Sequence, residues 1–313
     1  MNARADAMGD AVGDGIRPAL AELVALRAQA RHGRALRRAE HGMGGQSPSQ
    51  QRGRGMEYAE SREYTAGDDA RHIDWRLTAR TGHAHTKLYQ AERERLSLIV
   101  ADTAPSLYFG TRVRFKSVQA ARAGAVAAWR AAAAGDRVAA LRGSVREAPV
   151  PPGGGPRGVL RVLDALVRWY SRPPDDDAGL AVALDHALRL IRPGARLLVL
   201  ADAASLADIP RERWAGLGRR ADTTVLLLTD PLETAPPQRA LGFEANGRRI
   251  DLDLGADAQR ARWHESFVRP VETLLADLPG RGVRLRTLSS DASSDAWLGR
   301  GRLDPAADGN AAA

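Results

Sequence analysis

The sequence predicts an α/β protein built on a doubly wound, mostly parallel sheet with an N-terminal helix, and three observations lead there. Apolar runs of strand length recur at Ser97 to Ala101, Arg137 to Leu141, Arg196 to Ala201 and Thr223 to Thr229. Segments with helical periodicity or an Ala-rich texture separate them, giving the order β-α-β-α-α-β-α-β that places helices on both faces of a parallel sheet. With 313 residues, 44% of them hydrophobic, the chain is long enough to bury a substantial core.

In chain order, the first fifteen residues are small, polar and Gly-rich and read as disordered. An amphipathic helix is expected from Pro18 to Arg38, because Leu20, Leu23, Val24 and Leu26 recur at helical spacing and Pro18 suits a first turn. The Gly-, Ser-, Gln- and Pro-rich stretch from His41 to Gly55 reads as a connector. From Met56 to Arg95 the chain is charged and rich in turn signals, yet it carries Tyr58, Tyr64, Ile73, Trp75, Leu77, Leu88 and Tyr89, too many large side chains for a linker. Within it, "TAGDDARHIDW" reads as a turn followed by a short helical or irregular segment, and Thr86 to Tyr89 as a short strand.

Beyond Leu96, helices are expected at Lys116 to Ala134, stopped by Gly135, then at Val159 to Tyr170, Gly179 to Ile191 and Ile209 to Arg220. The segment Pro149 to Pro156 reads as a loop. Asn246-Gly247, a preferred pair for a two-residue type I′ turn, predicts a hairpin within "LGFEANGRRIDLDL". A helix from Asp257 to Leu278 and a last strand from Val283 to Thr287 follow, and the tail from Asp304 reads as disordered. The expected organisation is therefore an N-terminal disordered stretch, helix and linker over 1–50, and a charged segment packed on the sheet over 51–96. The sheet domain follows over 97–303, and a tail over 304–313.

Composition removes several function classes. The chain has no Cys, which excludes a disulfide framework, a thiolate metal site, an iron–sulfur cluster and a cysteine nucleophile. It contains no run of about 18 apolar residues, and its N-terminus is too polar for a secretory signal, so a cytoplasmic location is expected. The net charge of +8 invites a nucleic-acid reading. Against it, only Lys87 and Lys116 are lysines, the arginine excess accompanies an Ala- and Gly-rich composition, and the 5% aromatics are scattered rather than interleaved with a basic stripe. The expected partners exclude nucleic acid.

In an open α/β sheet, ligands bind outside the carboxyl ends of the strands. The residues just past the apolar runs are Asp102, Asp202 and Asp230. Carboxylates at adjacent strand ends make a natural site for a hard cation such as Mg²⁺, although an Asp in that position also caps a following helix or turn. In the charged segment, Asp68, Asp69, Asp74 and His72, or the His83-x-His85 pair on one side of a strand, could be read as metal or acid–base groups. The bland reading is preferred: Gly67-Asp68-Asp69 is turn chemistry, and Arg62, Arg71 and Arg80 suffice to pair with Glu57, Asp68 and Asp74 as a structural ion network around Trp75. "PPGGGPRG" lacks the Gly-Lys-Ser/Thr ending of a phosphate-binding loop, and no Gly-x-Ser-x-Gly elbow occurs. Trp129, Trp169, Trp214 and Trp263 fall in expected helices and read as core.

The stretch "RGRGMEYAESREYTAGDDARHIDWRLTARTGHAHTKLYQAERE", followed by "LIVADTAPSLYFGTRVRFKSVQAARAGAVAAW" and "GDRV", resembles the domain of unknown function 58 family. Glu57, Arg62, Tyr64, Gly67, Asp68, Arg71, Ile73, Asp74, Trp75 and Arg80 carry much of the likeness. The resemblance implies a von Willebrand factor A-like domain and a MoxR-type AAA+ ATPase as partner. It also implies a metal-ion-dependent adhesion site, in which an Asp-x-Ser-x-Ser loop, a Thr and a later Asp hold Mg²⁺. By position the loop is Asp102, Ala104 and Ser106, and the later Asp is Asp202. The middle hydroxyl is absent, and Asp177, Ala178 and Gly179 stand where the Thr is expected. Waters or Asp177 would have to replace those two donors.

The resulting expectation is a non-enzymatic interaction protein, an adaptor or co-factor of a MoxR-type AAA+ ATPase in assembly or maturation of a client protein, acting through a degenerate adhesion site. No catalytic residue is assigned. Asp102, Ser106 and Asp202 are the tentative metal set, and Glu57, Arg62, Tyr64, Asp68, Arg71, Asp74, Trp75 and Arg80 form the partner-facing or structural network. The alternatives are a metal-dependent hydrolase using the strand-end carboxylates and, behind it, nucleic-acid binding.

Overall fold

The computed structural model describes residues 13–30, 56–65, 67–91, 95–245 and 248–299. It divides into two compact units, residues 37–94 and the remainder of the chain. In the larger unit a six-stranded sheet comprises β3 (Leu96–Ala101), β4 (Arg137–Arg142), β5 (Val150–Gly153), β6 (Ala195–Ala201), β7 (Ala221–Thr229) and β10 (Val283–Ser289). Their spatial order is β10-β7-β6-β3-β4-β5, with every pairing parallel except β4 with β5. The four apolar runs of the sequence are β3, β4, β6 and β7, and all but the first residues of these strands are largely buried. Such continuous apolar runs are what a parallel strand covered on both faces requires.

Side-chain alternation sends each strand to two cores. Ile99 and Ala101 pack with α1 (Leu20–Ala25), α3 (Lys116–Ala133) and α4 (Gly155–Tyr170). Leu98 and Val100 pack with α5 (Gly179–Leu190), α7 (Arg211–Arg220) and α10 (Arg269–Asp277). The Ala-rich α3 lies close to the sheet because its buried face is mostly Ala and Gly. The N-terminal helix docks on this face through Leu23 and Leu26, and the Trp129 indole N–H donates to the Leu23 carbonyl at 3.2 Å. The part of that expected helix beyond residue 30, the 41–55 connector and the tail from 304 lie outside the described residues.

Two expectations change. Pro149 to Pro156 is not wholly a loop: Val150–Gly153 forms β5, and Gly155 already opens α4. Pro151 and Pro152 are tolerated there because β5 is an edge strand and its register with β4 is irregular at these residues. The expected Ile209 to Arg220 helix is preceded by a separate turn of helix, α6 (Ala203–Ala207), capped by Asp202. Beyond β7 come α8 (Pro231–Thr234), the hairpin of β8 (Ala240–Ala245) and β9 (Arg248–Asp253), and α9 (Asp257–Trp263). A π-helical turn, His264–Val268, then joins α9 to α10. Trp129, Trp169, Trp214 and Trp263 are all buried, as expected.

The smaller unit contains an antiparallel pair, β1 (Met56–Glu63) and β2 (His85–Ala91), with a bulge between Tyr58 and Glu60. A 3₁₀ turn, Ala70–His72, and α2 (Trp75–Thr81) connect them. Asp74 caps α2 by accepting from the Leu77 N–H at 3.1 Å, and Gly82 closes it in the left-handed region. Thr86 to Tyr89 falls within β2, while β1 was hidden in a charged stretch that reads as irregular.

Candidate functional site

The strand order reverses between β3 and β6: β3 connects onward to β4 on one side, and β6 to β7 on the other. The carboxyl ends of these two strands therefore flank the crevice where an open α/β sheet receives ligands. Asp102 and Asp202 are the first residues beyond β3 and β6, and both are buried, at 1% and 2% exposure. The Asp102 N–H donates to the Leu200 carbonyl at 2.9 Å, which stitches the two strand ends together.

Their side chains have different fates. Asp202 caps α6, accepting the Ser205 N–H at 3.1 Å through Oδ1, while Oδ2 faces the Lys116 ammonium at 3.4 Å. Lys116 is the first residue of α3 and is itself buried; its Nζ also donates to Glu233 Oε1 at 2.6 Å. Glu233 in turn accepts the Asp230 N–H at 2.9 Å through Oε2. The result is a continuous polar chain, Asp202 to Lys116 to Glu233 to the end of β7. Burial raises the Glu233 pKa despite the opposing pull of Lys116.

Asp102 is left with less. Oδ1 accepts the Ala104 N–H at 3.1 Å, and Oδ2 has no hydrogen-bond partner among the described residues. Desolvation pushes its pKa up to about 7; the negative charges of Asp202 and Asp177 add to that rise, against the pull of the Ser205 hydroxyl and the Ala104 N–H. Asp177 is held nearby through Thr103, whose Oγ1 donates to Asp177 Oδ1 at 3.1 Å. Its loop is pinned to the end of β4 by the Ala178 N–H to Gly143 carbonyl bond at 2.8 Å. A Cβ at Gly143 would collide with the carbonyl oxygen of Gly179, so the close approach requires glycine.

Ser106 makes no side-chain hydrogen bond to either aspartate among the described residues. It lies exposed on the 3₁₀ turn Pro105–Leu107 and lines a hollow of about 510 Å³ whose walls include Phe109, Phe243, Leu252, Trp263 and Phe267. Glu233 also lines this hollow, so the apolar walls adjoin the buried polar chain. Trp263 stacks at a tilt on Phe243 and Phe267, with ring centroids 5.8 and 4.4 Å away.

Two features bear on whether these donors could hold a divalent cation: Asp102 Oδ2 is unpartnered among the described residues, whereas Asp202 is already engaged. Asp202 already faces an ammonium, Ser106 borders the apolar hollow, and among the described residues no three His, Asp or Glu side chains gather as a metal set. Lys116 and Glu233 were missed in the sequence. The available signal was that Lys116 is one of only two lysines among 46 basic residues, placed where its helix meets the strand ends.

In the smaller unit, Arg62 pairs with Asp68 at 2.6 Å, and the Tyr64 hydroxyl donates to the Asp68 carbonyl at 3.2 Å. Asp74 serves as a helix cap and accepts from the Ser61 hydroxyl at 3.1 Å. Trp75 is 70% exposed, so its ring is open to solvent beside these pairs. Arg71 and Arg80 lie on exposed faces of the 3₁₀ turn and of α2, and the Glu57 side chain lies outside the described residues. His83 precedes β2, so only His85 of the His-x-His pair is on the strand.

No solved structure matches the chain. It is similar to the Uncharacterized protein Mb1516 of Mycobacterium bovis and the Uncharacterized protein Rv1480 of Mycobacterium tuberculosis, each 33% identical over 186 residues. The matched segment is 59% of this chain and 58% of each relative, so the chain spans less than two thirds of the relatives' length. The family described as "Protein of unknown function DUF58" matches residues 60–270, which include the Arg62–Asp68 pair, the Asp102 loop, Lys116, Asp202 and Glu233. By that match over most of its length, the chain belongs to this family.

Proposed function

We propose that the chain is a non-enzymatic protein-binding module of von Willebrand factor A-like type, an adaptor of a MoxR-type AAA+ ATPase in the assembly or maturation of a client protein. The carrying observation is the composition of the crevice edge. Its carboxylates at Asp202 and Glu233 are engaged internally with Lys116, and beside them lies an apolar-walled hollow with Ser106 on its lining. Such a hollow receives an apolar side chain of a partner, and the neighbouring polar groups fix its orientation. The built-in ammonium supplies the counter-charge, so the proposed binding needs no divalent cation.

The test is size-exclusion co-elution of the purified chain with a MoxR-type ATPase from the same organism, without nucleotide, in Mg²⁺ and in chelator. Co-elution in both conditions, lost in Phe267→Asp, is the expected result. Absence of co-elution removes the proposed partner, and co-elution lost in chelator restores a cation at the Asp102 loop. The hydrolase alternative has one feature in its favour, the burial that pushes the Asp102 carboxyl up to about 7. It requires phosphoester turnover abolished by Asp102→Asn.

A further inference from the structure

A second site lies at the end of β4, apart from the Lys116 chain and independent of the ATPase proposal. Arg142, the last residue of β4, is paired in register with Ala101 of β3, and its side chain is only 6% exposed. Nε donates to Glu147 Oε2 at 3.0 Å and Nη2 to Asp176 Oδ1 at 2.6 Å, while Nη1 has no partner among the described residues. A buried guanidinium N–H without an acceptor is costly, and it marks a place where an acceptor is wanted.

Arg142 lines a cavity of about 270 Å³ together with Arg146, Arg168 and Arg172, and with the carboxylates of Glu147, Asp175 and Asp176. Arg168 is engaged with Glu147 and Asp164. Arg146 and Arg172 are exposed, and among the described residues their guanidinium groups make no hydrogen bond or ion pair. Arg146 and Arg172, with guanidinium donors to spare, thus border one small cavity whose wall includes the buried Arg142.

We propose that this cavity receives a side-chain carboxylate of an acidic peptide segment, with Arg142 at its base and Arg146 and Arg172 holding further acidic groups at its mouth. Guanidinium groups match a carboxylate's two oxygens and remain charged at every physiological pH. The cavity volume accommodates one acidic side chain and is below the range typical of nucleotide-sized ligands. Glu147 and Asp176 stand within the same walls and repel added negative charge, which favours a singly charged carboxylate over a doubly charged phosphate. The exposed position of Arg146 and Arg172 suits a chain carrying several carboxylates rather than a lone small acid.

The experiment titrates the full chain into a fluorescein-labelled, N-acetylated, C-amidated hexaglutamate peptide and follows anisotropy. Saturable binding is expected, weakened at least tenfold by Arg146→Ala with Arg172→Ala. The double variant Arg211→Ala with Arg249→Ala removes the same charge elsewhere and should change affinity less than twofold. In competition at matched ionic strength, N-acetylglutamate α-amide should displace the peptide at lower concentration than inorganic phosphate. Absence of binding, equal weakening by both double variants, or stronger competition by phosphate would each overturn the proposal. Both pairs are on the surface, and a thermal melt of each variant verifies that the fold is retained.

Discussion

Asp102 and Asp230 occupy equivalent places, each just beyond a buried parallel strand and each almost wholly buried, yet their electrostatics are opposite. Burial alone would raise Asp230, but hydrogen bonds from the Ser290 and Thr111 hydroxyls and the Leu232 and Thr111 N–H groups outweigh it and hold its pKa below the ordinary value. Asp102 has one N–H on Oδ1, the pull of the Ser205 hydroxyl and two like charges nearby, and desolvation takes its pKa up to about 7. Low solvent exposure is shared; donor supply differs. A carboxylate ringed by donors is a structural joint, whereas one left short of donors is free to change charge near neutral pH.

The largest expected effect breaks the satisfied member. Asp230→Ala leaves the Thr111, Ser290 and Leu232 donors without their acceptor, and stability by urea unfolding should fall by about 4 kcal/mol at pH 7. A loss under about 1 kcal/mol would show that these bonds count no more than the sparse set at Asp102. Next is Lys116→Met, which leaves Asp202 and Glu233 without their counter-charge and should cost about 3 kcal/mol at pH 8. That loss should shrink at pH 5 as the Glu233 carboxyl, already raised by burial, takes up a proton, and a pH-independent loss would count against the ion-pair account.

Asp102→Asn sharpens the comparison through pH. The folded carboxyl keeps its proton until about pH 7, while the unfolded one loses it near its ordinary value of 3.8. Its stabilising contribution is therefore complete below pH 3.8 and is lost as pH rises towards 7, with a slope approaching about 1.4 kcal/mol per pH unit. The amide variant should flatten that decline while leaving stability at pH 7.5 unchanged or higher. Asp230, with a lowered pKa, contributes above its unfolded value and loses that contribution only in acid, so Asp230→Asn should not alter the pH 4 to 7 slope. The smallest effect is Trp75→Ala: this ring is 70% exposed, and its removal should change stability by less than about 0.5 kcal/mol.

The sheet was legible in the sequence because strands buried on both faces must be apolar throughout. The aspartates that follow them were found by position alone. What escaped was set by contacts distant in sequence or by geometry. Lys116 meets Asp202 across 86 residues and Glu233 across 117, and no local pattern at "RFKSVQ" announces either. The family resemblance groups Ser106 with Asp102, and what it could not give is that the 3₁₀ turn also places Ser106 on the lining of the apolar hollow. β1 was illegible because "MEYAESRE" offers no apolar alternation and is sustained by pairing with β2. β5 was masked by its prolines.

Those prolines bear on how the molecule meets others. A sheet of this kind has two rims, and at one of them β5 is four residues long with Pro151 and Pro152 in its middle, unable to offer N–H groups to an incoming strand. The opposite rim, β10, carries Arg284 and Arg286 along its length. Neither rim is a template for extending the sheet into a neighbouring chain, so crowding at high concentration should not drive stacking into fibrils. Strand addition is thereby disfavoured at both rims of this sheet, by missing donors at one and by like charge at the other.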